Sequence, residues 1–139
     1  METIVQAKRV LEIFKEMSQI PRESGNEKSI SDYIVNFAKN LGLEVHQDEI
    51  FNVVIKKAAS PGYENRPSII LQGHIDMVCV KDHDSNHDFS KDPIANIIEG
   101  EWMHADHTTL GADNGMGAAM MLALLEDESQ QHGPMQLLF

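Results

Sequence analysis

Apolar residues recur at helical spacing near the start of the chain. Ala7, Val10, Leu11, Phe14 and Met17 fall on one face of a helix, which Pro21 and Gly25 close. Ser24 and Glu27 stand at the spacing of a capping box and predict the start of a second helix. Its apolar stripe is Ile30, Tyr33, Ile34, Phe37, Ala38 and Leu41. Gly42, which accepts a left-handed conformation, predicts its end. Both stripes read as core-facing surfaces.

The period then shortens. Residues 43–45 and 52–55 are short and β-branched, and predict two strands. Pro61-Gly62 and Asn65-Arg66-Pro67 mark a loop. Ser68-Ile69-Ile70-Leu71 is a continuous apolar run, which predicts a strand covered on both faces. A polar stretch at 81–91 reads as a loop, either beside an active site or as a surface insertion. Gly111-Ala112-Asp113-Asn114-Gly115 opens a third helix that is apolar nearly all round from 116 to 125, and therefore buried. Glu126, Asp127 and Glu128 crowd its end, where the helix dipole disfavours negative charge. His132-Gly133-Pro134 turns the chain into a last buried strand at 135–139. Because the sequence stops within an apolar element, the chain is expected to be a truncated piece. Helices alternating with buried strands predict a layered α/β fold without internal repeat or clear linker.

Composition then narrows the partners. A length of 139 residues fits one domain, and 42% hydrophobic with 24% charged residues is an ordinary globular balance. Eleven basic against 22 acidic residues give a net charge of −11, which repels phosphate backbones and anionic headgroups. Neither nucleic acid nor a membrane surface is expected as a partner. The longest apolar run, at 117–125, is far short of the roughly 18 residues a membrane helix needs. Cys79 is the single cysteine, so no internal disulfide forms, in keeping with a reducing compartment. The start at residues 1–5 lacks the basic-then-apolar pattern of a secretion signal. A cytoplasmic protein is expected.

Two short features carry candidate chemistry. In Gln72-Gly73-His74-Ile75-Asp76-Met77-Val78 an apolar strand runs out into glycine, then His and Asp two residues apart. Ligands in α/β sheets bind beyond the carboxyl ends of strands. In an extended segment His74 and Asp76 point to one side. His74 could then ligate a metal while Asp76 accepts its other ring N–H and fixes the tautomer. Read on spacing alone, the short His-x-Asp pattern favours a structural strand-end His with a capping Asp. Asp113, at the entrance to the apolar helix, reads either as an N-cap or as a carboxylate bridging two metal ions. His83, His87, His104 and His107 match no firm zinc spacing and read as loop or surface residues. Cys79 has no adjacent base in sequence and reads as a small buried apolar residue. Gly115 and Gly117 miss the phosphate-loop spacing at Met120, and no Gly-x-Ser-x-Gly element is present.

Four stretches together resemble a known family. They are Ile20-Pro21-Arg22-Glu23-Ser24-Gly25-Asn26-Glu27, then the 72–78 stretch, then His87-Asp88-Phe89-Ser90-Lys91-Asp92-Pro93-Ile94, then Thr108-Thr109-Leu110-Gly111-Ala112-Asp113-Asn114-Gly115. In this order they are similar to the aminoacyl-histidine dipeptidases, a branch of the di-zinc metallopeptidases related to aminoacylases and carboxypeptidases. The His87–Ile94 stretch is the one that separates this branch from its relatives. The resemblance implies a three-layer α/β/α fold with a mixed sheet, of which residues 1–139 are the amino-terminal part of the catalytic domain. It implies that His74 ligates one zinc, Asp113 bridges two, and Asp76 orients His74 as a catalytic-site residue. Cobalt or manganese could replace zinc, and this piece could be metal-free. A cis peptide after Asp113 is implied as well. The general base, the remaining ligands and a lid and dimerisation domain are expected beyond Phe139. The parent enzyme is expected to be a homodimer that hydrolyses Xaa-His and related dipeptides, and the piece alone to be inactive. A related aminopeptidase or carboxypeptidase, or a non-catalytic binding domain on the same fold, is the alternative.

Overall fold

The computed structural model describes residues 2–139, with side chains from Gln6 onward. The reading of the chain start rests on Met1 and on the side chains of residues 2–5, which lie outside the described residues. Three helices and six strands follow in the order α1 (Glu2–Ser18), α2 (Lys28–Asn40), β1 (Glu44–Gln47), β2 (Val53–Lys57), β3 (Ile69–Gln72), β4 (Asn96–Glu99), β5 (Trp102–Ala105), α3 (Ala112–Glu126) and β6 (Met135–Leu138). The main sheet has the order β1-β2-β6-β3. β3 and β6 run parallel and the other pairs antiparallel, so the sheet is mixed. β4 and β5 form a separate antiparallel hairpin.

One core fills the space between the helices and one face of the sheet. Val53 and Ile55 of β2 and Met135, Leu137 and Phe139 around β6 project to the same side, because Ile55 pairs with Leu137. They meet Phe14 and Met17 of α1, Ile30 and Ile34 of α2, and Ala118 and Leu122 of α3 in one apolar cluster. The described residues therefore supply the sheet and one helical layer of an α/β fold. Alternate residues, such as Val54 and Leu138, face the other side and are only half-buried.

Several local expectations change. Leu11 is 40% exposed, and Ile13 takes its place in the core, because the buried face of α1 is Val10, Ile13, Phe14 and Met17. Leu41 lies at the end of α2 and is 39% exposed. β3 is not covered on both faces: Ile69 and Ile70 are exposed, since β3 is an edge strand of the sheet among the described residues. The hairpin of β4 and β5 was not expected. Its signal was present in Ile97-Ile98-Glu99-Gly100-Glu101-Trp102-Met103, two short apolar runs around a glycine with φ of 61°. The acidic end of α3 finds its compensation in space. Lys57 donates to the carbonyl oxygens of Leu124, Leu125 and Asp127 at 2.9–3.2 Å, and the Arg9 guanidinium pairs with Glu126. A cation on the last carbonyls offsets what the local charge pattern disfavours.

Candidate metal centre

The strand that leads to the site is β3. Beyond Gln72 the chain stays beside β6, with the Gly73 amide donating to Leu138 O at 3.0 Å. His74 and Asp76 then emerge at the carboxyl end of the strand. Their side chains do point to one side: His74 Nδ1 lies 2.9 Å from Asp76 Oδ1. On the far edge of the ring, His74 Nε2 lies 3.1 Å from Asp113 Oδ1. The imidazole is thus held between two carboxylates that come from segments 37 residues apart in sequence, at 76 and 113.

Asp113 is not a helix cap. α3 begins with Gly111 in the left-handed region and without a side-chain cap, and Asp113 and Asn114 themselves have non-helical backbone angles. The Asp113–Asn114 peptide is cis, as the resemblance implies. The Asp113 side chain is 97% exposed and turned to His74. Behind it, the Asn114 side chain fills the space that two glycines leave. A Cβ on Gly73 would stand 2.6 Å from Asn114 Nδ2, and one on Gly117 2.2 Å from Asn114 Oδ1. Those glycines let the residue beside Asp113 pack against the residue beside His74.

Ser24 belongs to the site rather than to a capping box. α2 starts at Lys28, its N-cap Glu27 has no side-chain cap bond, and Ser24 lies too early to serve it. The Ser24 hydroxyl instead donates to Asp76 Oδ2, while Glu27 accepts from the Gly25 amide. Asp76 is therefore bonded at both oxygens. Those bonds, from Ser24 first and from His74, outweigh partial desolvation and hold its carboxyl below the usual carboxylate range. For His74, partial desolvation acts to lower the pKa, but the hydrogen bonds to Asp113 and Asp76 prevail and raise it.

The segments that carry these residues are laced together. Thr109 Oγ1 donates to Val78 O at 2.7 Å, the Thr109 amide to Val80 O at 2.8 Å, and the Asp82 amide to His107 O at 3.0 Å. Residues 20–27 run alongside, with the Met77 amide donating to Arg22 O at 2.9 Å. Arg22 itself is 2% exposed and sits between the two segments that carry His74 and Asp113. Nothing in the periodicity marked Arg22, Ser24 or Asn114 as site residues. The signal available was their position inside the quoted segments. The third of those segments, by contrast, forms a turn of its own. Asp88 accepts from Ser90 and pairs with Lys91, and the Ile94 amide reaches Ser18 O at 2.8 Å.

The donor set fits part of a metal centre. An imidazole nitrogen and a carboxylate oxygen suit zinc. Their 3.1 Å separation is close to the roughly 3.3 Å between neighbouring ligands of a tetrahedral ion with bonds of about 2.0–2.2 Å. Among the described residues no group of three His, Cys, Asp or Glu side chains is placed to hold a metal ion. Among the described residues, His83, His87, His104 and His107 do not converge on a metal site either. His107 pairs with Asp82 at 2.7 Å, His104 approaches Glu99 at 3.6 Å, and His87 meets the ring of Phe89 edge-on. Cys79 is half-buried, and desolvation pushes its thiol pKa up. No helix among the described residues is long and apolar enough to cross a membrane.

Comparison with known proteins adds the context. No protein-family model matches the chain. It is 48% identical over 127 residues to the cytosol non-specific dipeptidase of Escherichia coli, covering 91% of this chain and 26% of that protein. The crystal structure of aminoacylhistidine dipeptidase from Vibrio alginolyticus superposes with a TM-score of 0.90 at 45% identity, over 94% of this chain and 26% of that one. A tripeptidase from Staphylococcus aureus superposes with a TM-score of 0.75 at 27% identity, over 94% of this chain and 35% of that one. The chain thus spans about a quarter of the length of the two dipeptidases and about a third of the tripeptidase. In sequence and in fold, this chain is similar to a portion of the aminoacylhistidine dipeptidases, as its four ordered segments imply.

Proposed function

We propose that this chain is the amino-terminal part of the catalytic domain of a zinc-dependent dipeptidase. In this reading His74, through Nε2, and Asp113, as the bridging carboxylate, would hold the zinc ions, and Asp76 would orient His74 through Nδ1. The observation that carries it is the imidazole fixed between two carboxylates at 2.9 and 3.1 Å, at the carboxyl end of a sheet strand. When bound, zinc polarises a peptide carbonyl and lowers the pKa of its water toward about 7. Asp76 keeps the proton on Nδ1, which leaves the Nε2 lone pair free for the metal once its own proton is released. Ser24 fixes the rotamer of Asp76 by bonding its second oxygen. The general base and further ligands would come from chain outside these residues, and with them a small peptide substrate, Xaa-His specificity and a homodimeric assembly. A cytoplasmic setting fits the single free cysteine and the cytosol dipeptidase relative.

A chimera tests the reading directly. This chain would replace the matching quarter of the Escherichia coli dipeptidase, and Xaa-His hydrolysis would be followed with and without chelator and added zinc. Chelator-sensitive, zinc-restored hydrolysis, lost in His74→Ala and in Asp113→Ala, is the expected result. A folded, metal-loaded chimera that works equally well with His74→Ala sinks the assignment.

A further inference from the structure

We infer that Arg22 is a positioning residue for the His74–Asp113 pair, its buried guanidinium setting the spacing between the two segments that carry them. The inference rests on the metal-site reading for its purpose, though not for its geometry. Among the described residues Arg22 has the largest fully buried side chain. Its Nη1 donates to Ile75 O at 3.1 Å and to Asp76 O at 3.3 Å, and its Nη2 donates to Gly111 O at 2.7 Å. One side of the planar fork therefore holds the backbone immediately after His74, and the other holds the backbone two residues before Asp113. Only a guanidinium has the reach and the fixed donor directions to bridge both.

The surroundings are cut to admit this group. A Cβ on Gly111 would stand 2.6 Å from Arg22 Nη2, and one on Gly115 would stand 2.7 Å from it. Glycine flanks the guanidinium on both sides of Asp113, so the backbone can close on it. Among the described residues no carboxylate stands within salt-bridge distance of Arg22, and its Nε is buried without a hydrogen-bond partner. A buried cation that keeps one donor unpaired in order to bond three main-chain carbonyls is not explained by apolar packing. Its return is geometric. The three carbonyls it binds all belong to the loops on which the candidate ligands sit.

The test uses the chain as it stands, with zinc as the probe. Calorimetry gives the zinc affinity, and nitrogen-15 NMR of the His74 ring reports the Nε2 contact with Asp113 in the absence of metal. Arg22→Met, of similar length but without donors, is expected to weaken zinc binding by about 10-fold or more, within the range found for residues that orient ligands. It is expected to erase the Nε2 signature while core methyl signals persist. Arg22→Lys, which retains the charge but reaches fewer carbonyls, is expected to fall between, and it serves if Arg22→Met fails to fold. Methylguanidinium added to Arg22→Ala is expected to restore part of the affinity. A folded Arg22→Met or Arg22→Lys that melts earlier, yet keeps wild-type zinc affinity and the Nε2 signature well below its melting temperature, overturns the proposal. Failure of the metal reading looks different: His74→Ala would then leave zinc binding unchanged, while the NMR comparison still decides the role of Arg22.

Discussion

The helix-covered face of the sheet and the His74 site are held by different forces. On the covered face Phe14, Ile34, Ile55 and Leu137 are all at 0% exposure, and what joins them is apolar contact. At the site the His74 side chain is 53% exposed and that of Asp113 97%. What fixes them is a set of directed bonds, from Asp76, Ser24, Arg22 and Thr109. The core can lose one partner and relax around the gap. A bond lost at the site instead frees an angle or a distance between particular groups. The expected consequence is that core changes alter stability with little effect on the site, and site changes do the reverse.

Phe14→Ala is the strongest probe of that separation. It is expected to destabilise by about 3–5 kcal/mol, measured as a lower urea midpoint at unchanged slope, with zinc affinity retained in the folded fraction. Gly115→Ala is placed where the regions meet, its Cβ 2.9 Å from the Phe14 ring and 2.7 Å from Arg22 Nη2. An overpacking cost of about 1–3 kcal/mol is expected together with weaker zinc binding, and loss of only one of the two would mean the regions are not joined there. Asp76→Asn tests the site alone. Zinc affinity is expected to drop about 10- to 100-fold by calorimetry with the melting temperature nearly unmoved. A large fall in stability instead would make Asp76 a structural residue.

Two smaller effects sharpen the contrast. Ile70→Thr, at a position 66% exposed on β3, is expected to change stability by no more than about 0.5 kcal/mol. His107 lies on the surface, and its hydrogen bond to Asp82, helped by Asp106, raises its pKa. The stabilisation from this pair is fully present below the unfolded value of about 6.5, and is lost as pH rises through the higher folded value. An NMR titration of His107 is expected to move to lower pH in Asp82→Asn, with the His74 contacts undisturbed.

What could be read in the sequence follows the same division. Periodicity located α1, α2, α3 and the strands of the main sheet, because burial against a sheet leaves a repeating trace in each segment. It misjudged Leu11 and Ile70 because a local pattern does not say which side of a helix, or which strand of a sheet, its neighbours cover. His74 and Asp76 could be paired from their spacing alone, since both bonding partners lie within three residues. Asp113, Ser24 and Arg22 could not. Their partners are 39, 52 and more than 50 residues away, and no local pattern encodes a contact at that range. For Ser24 a genuine local signal, the spacing to Glu27, pointed elsewhere.

The exposed edge strand has a consequence for the chain's behaviour in solution. Among the described residues β3 ends the sheet, with one row of backbone donors and acceptors unpaired by another strand and with Ile69 and Ile70 exposed. Such an edge is a template on which a further strand can align, from another molecule as readily as from the same one. Neither a lysine nor a proline lies within Ile69–Gln72 to discourage this. The counterweight is colloidal: a net charge of −11 keeps copies apart at low ionic strength. Salt that screens this repulsion is therefore expected to push these residues, taken by themselves, toward edge-to-edge association before it alters the fold.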